Sequence, residues 1–220
     1  MDYKKIFRTR ELRYRILRML RFIPDEPMIK IQYRIKTGRK LNLKTPKRYT
    51  EKLQWYKLYY KNPEMIRCVD KYDVREYVKE HGLEEILVDN YGVFDMAEDI
   101  RWDELPNSFV MKDTLGGGGN SVRIVADKKD TDLGKLKEIA KKWTERQVIK
   151  HTGGREWPYS AGKKHRVIFE RYLTETNEQS SIVDYKFFCF NGQFHYGYIL
   201  TNRKMGESVE LAVIDSECSL

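Results

Sequence analysis

A chain of 220 residues can bury a sizeable core, and with 40% apolar and 13% aromatic residues wholesale disorder is excluded. The formal charge of +9 predicts attraction to phosphate, nucleic acid or anionic lipid without choosing among them. Three scattered cysteines (Cys68, Cys189, Cys218), four histidines and no apolar run of about 18 residues exclude a disulfide framework, a zinc site and a bilayer-spanning helix, and point to a reducing cytoplasm.

Residues 3–22 read as a basic amphipathic helix. Ile6, Phe7, Leu12, Ile16, Leu17, Met19 and Leu20 interleave with Arg8, Arg10, Arg13, Arg15, Arg18 and Arg21, which leaves no signal-peptide h-region. Two readings stand for it. It docks peripherally on an anionic inner-leaflet surface, each basic residue contributing roughly 1 kcal/mol, or it packs on its own domain with a solvated basic face. Pro24 and Pro27 end the segment. Residues 28–36 alternate apolar and basic, as a strand or a helix continuation would. Within 41–61 an extended entry precedes a helix that Thr50 would N-cap, with Leu53, Tyr56 and Leu58 available to its apolar face and Asn62-Pro63 closing it. A further helix spans about 64–81, with Gly82 at C′.

The pattern then becomes extended. Ile86–Val88, Tyr91–Phe94, Phe109–Lys112, Val122–Val125, Val167–Tyr172, Tyr185–Phe190, Phe194–Leu200 and Glu210–Ile214 read as strands, and 130–150 as an amphipathic helix through Leu133, Leu136, Ile139, Ala140 and Trp143. Asn191-Gly192 between aromatic-rich runs is a two-residue hairpin signal. The expected fold class is α+β, helices first and then mostly antiparallel strands with one helical crossover. The expected organisation is a basic N-terminal segment (1–40), a helical lobe (41–105), a lobe with a glycine-rich loop (106–172) and the start of a further lobe (173–220).

Three stretches carry chemistry. In the first, a strand ends at Lys112 and leads into Gly116, Gly117, Gly118 and Gly119 before a strand resumes at Val122. Consecutive glycines let backbone N–H groups close over phosphate oxygens, although a flexible hairpin tip looks the same. No Gly-Lys-Ser/Thr opens a helix, so it is not a Walker A loop. In the second, Glu170 sits in an apolar run, either solvated on an edge strand or offered to a purine with the neighbouring backbone. In the third, Asp184 and Lys186 share one strand face by period-2 geometry, as an ion pair or as ribose and phosphate contacts. A basic, aromatic loop (153–166) with Arg155, Lys163, Lys164, His165 and Arg166 is either solvated or clamps an acidic acceptor.

The linked set LNLKTPKRYTEKLQWYKLYYKNPE, VDKYDVREYV, FVMKDTLGGGGNSV, GGREWPY, VIFERYL and DYKFFCFNGQ, over about residues 40–200, resembles the ATP-grasp superfamily and is most similar to its TupA-like family of teichuronopeptide and capsule-type polysaccharide synthesis. The resemblance implies an ATP-grasp-like fold, a bacterial cytoplasmic setting and a ligase-like enzyme that activates a carboxylate as an acyl phosphate for attack by an amine. It implies that Lys71 and Lys112 lie near the phosphates, that Gly116 to Gly119 fold over them, and that Glu170 with Arg171 and Leu173 forms the adenine hinge. Asp184 then reaches the ribose and Lys186 the phosphates, while Arg155, Trp157 and Tyr159 contact an acidic glycopolymer or its precursor. ATP and Mg²⁺ are the implied cofactors. After Gln193 no Glu-x-Asn appears, so the Mg²⁺ ligands are expected downstream of Leu220, and the chain, read as C-terminally truncated, is expected to be inactive alone. A glycosyltransferase label attaches to some relatives, and nothing in these residues supports sugar transfer. Two further readings remain: a noncatalytic basic membrane- or nucleic-acid-binding module, and an ATP-dependent phosphotransferase to a hydroxyl. Specific nucleic-acid binding is not expected from the loop–hinge–DYK order.

Overall fold

The computed structural model describes residues 10–117, 121–147, 151–173, 183–201 and 210–217. The chain divides into two compact units, Met1–Arg171 and Tyr172–Leu220.

The first unit begins with helix α1 (Arg10–Met19), a 3-10 turn (Leu20–Phe22) and helix α2 (Asp25–Thr37). The alternating 28–36 stretch is therefore helical. Met28, Ile29 and Tyr33 are buried on one side of α2, and Ile29 and Tyr33 pack with Leu41. Pro24 caps α2 and Pro27 lies in its first turn, where the missing N–H costs nothing. Gly38, at φ 72°, ends the helix by donating its N–H to the Arg34 carbonyl.

Helix α3 (Tyr49–Tyr59) starts two residues earlier than a Thr50 cap requires. Arg48 is the N-cap, because the Glu51 carboxylate reaches back to accept the N–H groups of Lys47 (3.1 Å) and Arg48 (3.0 Å). Thr50 sits inside the first turn with its hydroxyl 3.2 Å from that of Tyr33. The expected 64–81 helix is two helices, α4 (Glu64–Cys68) and α5 (Asp73–Glu80). The break has a local cause: the Asp70 carboxylate accepts the N–H groups of Tyr72 and Asp73, an alternative to the helical ladder. Gly82 follows α5 at φ 71°, as a C′ glycine should. Ile86–Val88 is not a strand. A 3-10 turn covers Glu84–Ile86, and the Val88 carbonyl accepts from the Arg75 guanidinium at 2.7 Å instead of a strand neighbour.

A four-stranded antiparallel sheet follows, formed by β1 (Asn90–Phe94), β2 (Phe109–Asp113), β3 (Val122–Val125) and β4 (Val167–Glu170) in the order β1-β4-β2-β3. The run expected to reach Tyr172 ends at Glu170, because the Arg171 amide turns to the Asp89 carbonyl at 2.9 Å. Helix α6 (Leu133–Thr144), shorter than the 130–150 pattern, is N-capped by Asp132, which accepts the Lys135 N–H at 3.0 Å. Its buried Leu136, Ala140 and Trp143 join Phe109, Met111, Val125, Val167 and Phe169 in the main core. The Phe169 ring meets Phe94, Trp102 and Phe109 edge-on at 5.5–5.8 Å. One face of the sheet thus belongs to the core, and the alternate residues Val110, Lys112, Ile168 and Glu170 belong to the other.

The second unit is a meander of β5 (Asp184–Phe190), β6 (Gln193–Thr201) and β7 (Glu210–Asp215). The β5–β6 turn is the expected two-residue hairpin: Asn191 (φ 53°) and Gly192 (φ 77°) both adopt the positive φ of a type I′ turn. Among the described residues no helix is long and apolar enough to cross a membrane.

Candidate functional site

Period-2 geometry splits the end of β2 between two tasks. Lys112 points away from the core and pairs with Glu170 on the adjacent strand β4, a diagonal neighbour on the same face. The other Glu170 oxygen lies 3.5 Å from the Arg75 guanidinium. Glu170, expected at an adenine hinge, therefore shares its carboxylate between two cations. Arg171 binds Asp89 through its guanidinium at 3.1 Å, and Leu173, in the second unit, is exposed.

Asp113, the next residue, is fully buried and ties three elements together. Its carboxylate accepts from Arg146, just beyond α6, at 2.8 Å and lies 2.8 Å from the His165 ring nitrogen, just before β4. It also accepts the Leu115 N–H at 3.1 Å, while the Asp113 carbonyl accepts the Gly116 N–H at 3.1 Å. These bonds turn the chain out of the strand and fix where the glycine run begins.

Lys71 closes the same turn. Its ammonium donates to the carbonyls of Asp113 (2.9 Å), Thr114 (3.2 Å) and Gly116 (2.5 Å), and its own N–H donates to the Thr114 carbonyl at 3.0 Å. Burial pushes the Lys71 ammonium below the usual lysine range, and the carboxylates of Asp113 and Asp70 oppose that shift. Lys71 and Lys112 thus both stand at the root of the loop. Lys71 is held by carbonyls and Lys112 by one exchangeable carboxylate.

Gly116 and Gly117 are not equivalent. A Cβ at Gly116 would lie 2.1 Å from the Ser121 Cβ and 2.4 Å from its hydroxyl, whereas one at Gly117 meets nothing within 4 Å. Gly116→Ala is expected to cost about 2 kcal/mol by overpacking, and Gly117→Ala to stay within about 0.5 kcal/mol of wild type. Urea unfolding of the two variants checks this; equal effects would contradict the asymmetry. Gly118 and Gly119 lie outside the described residues.

Beside the loop root, Arg166 donates to Asp70 (2.9 Å) and Asp73 (2.7 Å), packs over the Tyr72 ring, and exchanges backbone contacts with Thr114. Lys163 pairs with the second Asp73 oxygen. A cleft of about 210 Å³ opens here, lined by Asp73, Asp95, Lys163, Lys164 and Arg166. Burial pushes the Asp73 carboxyl up, but the hydrogen bonds from Arg166 and Lys163 outweigh it and hold the group below its ordinary value. A depressed carboxyl contributes stability above the unfolded value and loses it as pH falls through the folded one. The urea-midpoint gap between wild type and Asp73→Asn should therefore be constant above about pH 5 and shrink below about pH 3.9. A gap unchanged down to pH 3 would contradict the pairing.

The 153–166 patch is not uniformly solvated. Arg155 points inward: its guanidinium is buried, donating to the carbonyls of Leu20 and Ile23 at 2.8 Å and to Asp25 at 3.2 Å. It fastens the N-terminal helices and is not placed to meet an acceptor. Trp157 donates to the Tyr60 carbonyl at 3.1 Å and carries the Lys61 ammonium 4.8 Å above its ring. Trp157–Ser160 form a 3-10 turn in which Tyr159 keeps partial exposure, and burial followed by Glu156 raises its phenol above the ordinary value. In the second unit, Lys186 pairs with Asp184 two residues away on β5.

Asp70, Asp113, Arg146 and Asp73 were not candidates from sequence, and Arg166 and His165 were read only as part of a basic loop. The KKHR run and VDKYDV were the available signals, but the partners lie 33 to 96 residues apart, so no local spacing links them. Among the described residues no group of three or more His, Cys, Asp and Glu side chains could hold a metal ion. A family model described as TupA-like ATPgrasp matches residues 51–206. No curated protein and no solved structure matches the chain.

Proposed function

The chain belongs to the TupA-like ATP-grasp family, and on that premise we propose that the Lys112–Gly117 segment with Lys71 binds the triphosphate of ATP for ligase-like chemistry. The observation that carries this reading is that both lysines stand at the root of the glycine run, Lys71 on the carbonyls of the Asp113–Gly116 turn and Lys112 on the strand residue that leads into it. Positive charge beside a glycine-rich loop is what phosphoryl transfer requires of a protein, since positioning and charge neutralisation supply most of the catalysis.

Each residue has a definable task. Lys112 exchanges Glu170 for a phosphate oxygen, and Arg75 keeps the Glu170 charge compensated when it does. Lys71 holds the loop root and adds long-range positive potential. The family reading also supplies Mg²⁺. The described residues offer it no protein cage. Asp184 and Lys186 keep the ribose and phosphate roles on the family resemblance alone, as do Trp157 and Tyr159 toward an acidic glycopolymer precursor.

In the finer reading, an acceptor carboxylate oxygen attacks the γ-phosphorus, the bond to the β-phosphate oxygen breaks and ADP leaves. An amine nitrogen then attacks the acyl carbon and expels phosphate. The setting in bacterial capsule or cell-wall polysaccharide assembly rests on the resemblance. Incubation with Mg-ATP, uronic-acid acceptors and hydroxylamine tests the chemistry by trapping the acyl phosphate as a hydroxamate. Hydroxamate together with ADP is the expected result from protein that also carries the family's Mg²⁺ ligands. A phosphorylated hydroxyl product without hydroxamate would place the reaction in the phosphotransferase class.

A further inference from the structure

The N-terminal helical segment has two faces with different fates. On the inner side, Leu17 lies against Gly153, and the buried Arg155 guanidinium holds the carbonyls of Leu20 and Ile23. His151 adds a 2.9 Å contact to Asp25 at the start of α2. The segment is therefore clamped to the first unit, and its outward surface is fixed.

On that outward surface Phe22 is 80% exposed and Met19 68% exposed, with Arg15 and Arg18 exposed beside them. At 100° per residue these four side chains fall within an arc of about 100°. Residues 3–22 carry eight lysines and arginines against Glu11 alone. Two large apolar side chains held in water among arginines are costly for a freely soluble surface. They suit a bilayer interface, where the rings and thioethers enter the acyl boundary and the guanidiniums meet phosphates. A second copy of the same face would bring arginines against arginines, so like charge disfavours self-association there.

We propose that the Arg15–Phe22 face docks the protein peripherally on anionic phospholipid, with Phe22 and Met19 inserted and Arg15 and Arg18 on the headgroups. This proposal does not depend on the nucleotide reading. The test is co-sedimentation of the whole chain with vesicles of phosphatidylcholine alone or mixed with phosphatidylglycerol. Binding to the mixed vesicles only is expected. The double variant Met19→Ser with Phe22→Ser should lose about tenfold or more in partition, since each removes a large buried apolar side chain. Arg15→Gln with Arg18→Gln should lose about twentyfold, from two basic contacts. Melting temperatures should be unchanged, because these side chains stand in solvent. Failure of the wild type to bind anionic vesicles, or binding insensitive to the Met19 and Phe22 changes, overturns the proposal. So does a concentration-dependent dimer of the wild type that the same double variant abolishes, because the face would then be a self-association surface.

Discussion

Lys112→Ala is expected to weaken Mg-ATP binding about tenfold to a hundredfold while changing the melting temperature little. A hydrogen bond to a charged group is worth about 1.5–3 kcal/mol, and each 1.4 kcal/mol is about a factor of ten in affinity. The fold should tolerate the change, because Glu170 keeps Arg75 as a partner and is not left as a lone buried charge. The stabilisation that Mg-ATP gives in a thermal-shift experiment measures the loss directly. Undiminished ATP stabilisation in this variant would remove Lys112 from the phosphate site.

Asp113→Ala is expected to have the larger effect on stability, a loss of about 3 to 5 kcal/mol, since it strips one partner from a buried ionic cluster. His165 and the Leu115 amide would be left facing a void, while Arg146, at the edge, can turn to water. Against a total of about 5–15 kcal/mol for an ordinary domain, that is a major fraction. Asp113→Asn keeps an acceptor for the Leu115 N–H and should cost about half as much. Urea denaturation of both variants decides the matter. An Asp113→Ala midpoint near wild type would mean that the cluster does not hold the loop root.

What could be read from the sequence was local. The Asn191-Gly192 turn, the glycine after α5, the strands on either side of the glycine run and the α+β class each depend on residues within a few positions of one another. The ATP-grasp resemblance likewise rests on contiguous stretches such as FVMKDTLGGGGNSV, and the family match spans them. The failures have the opposite character. Thr50 looked like a cap because threonine is a good one, but Glu51 bonds back to the preceding amides and moves the helix start to Tyr49. Ile86–Val88 has strand composition, and a 3-10 turn together with the distant Arg75 overrides it. Arg155 sat in a basic, aromatic loop that suggested an exposed acceptor clamp, yet its carbonyl partners lie more than 130 residues earlier, which no spacing rule could reveal. Lys71 was found by resemblance. Its three carbonyl partners, 42 to 45 residues later, are a product of tertiary packing.

The loop root with its two lysines is most directly tested by calorimetric titration of the folded chain with Mg-ATP and, in parallel, with Mg-AMP. Saturable heat with ATP, a much weaker response to AMP and a drop with Lys112→Ala are the predicted results, because the grip is on the phosphate tail. Equal affinity for ATP and AMP, or no heat from ATP with protein shown to be folded, would contradict the account.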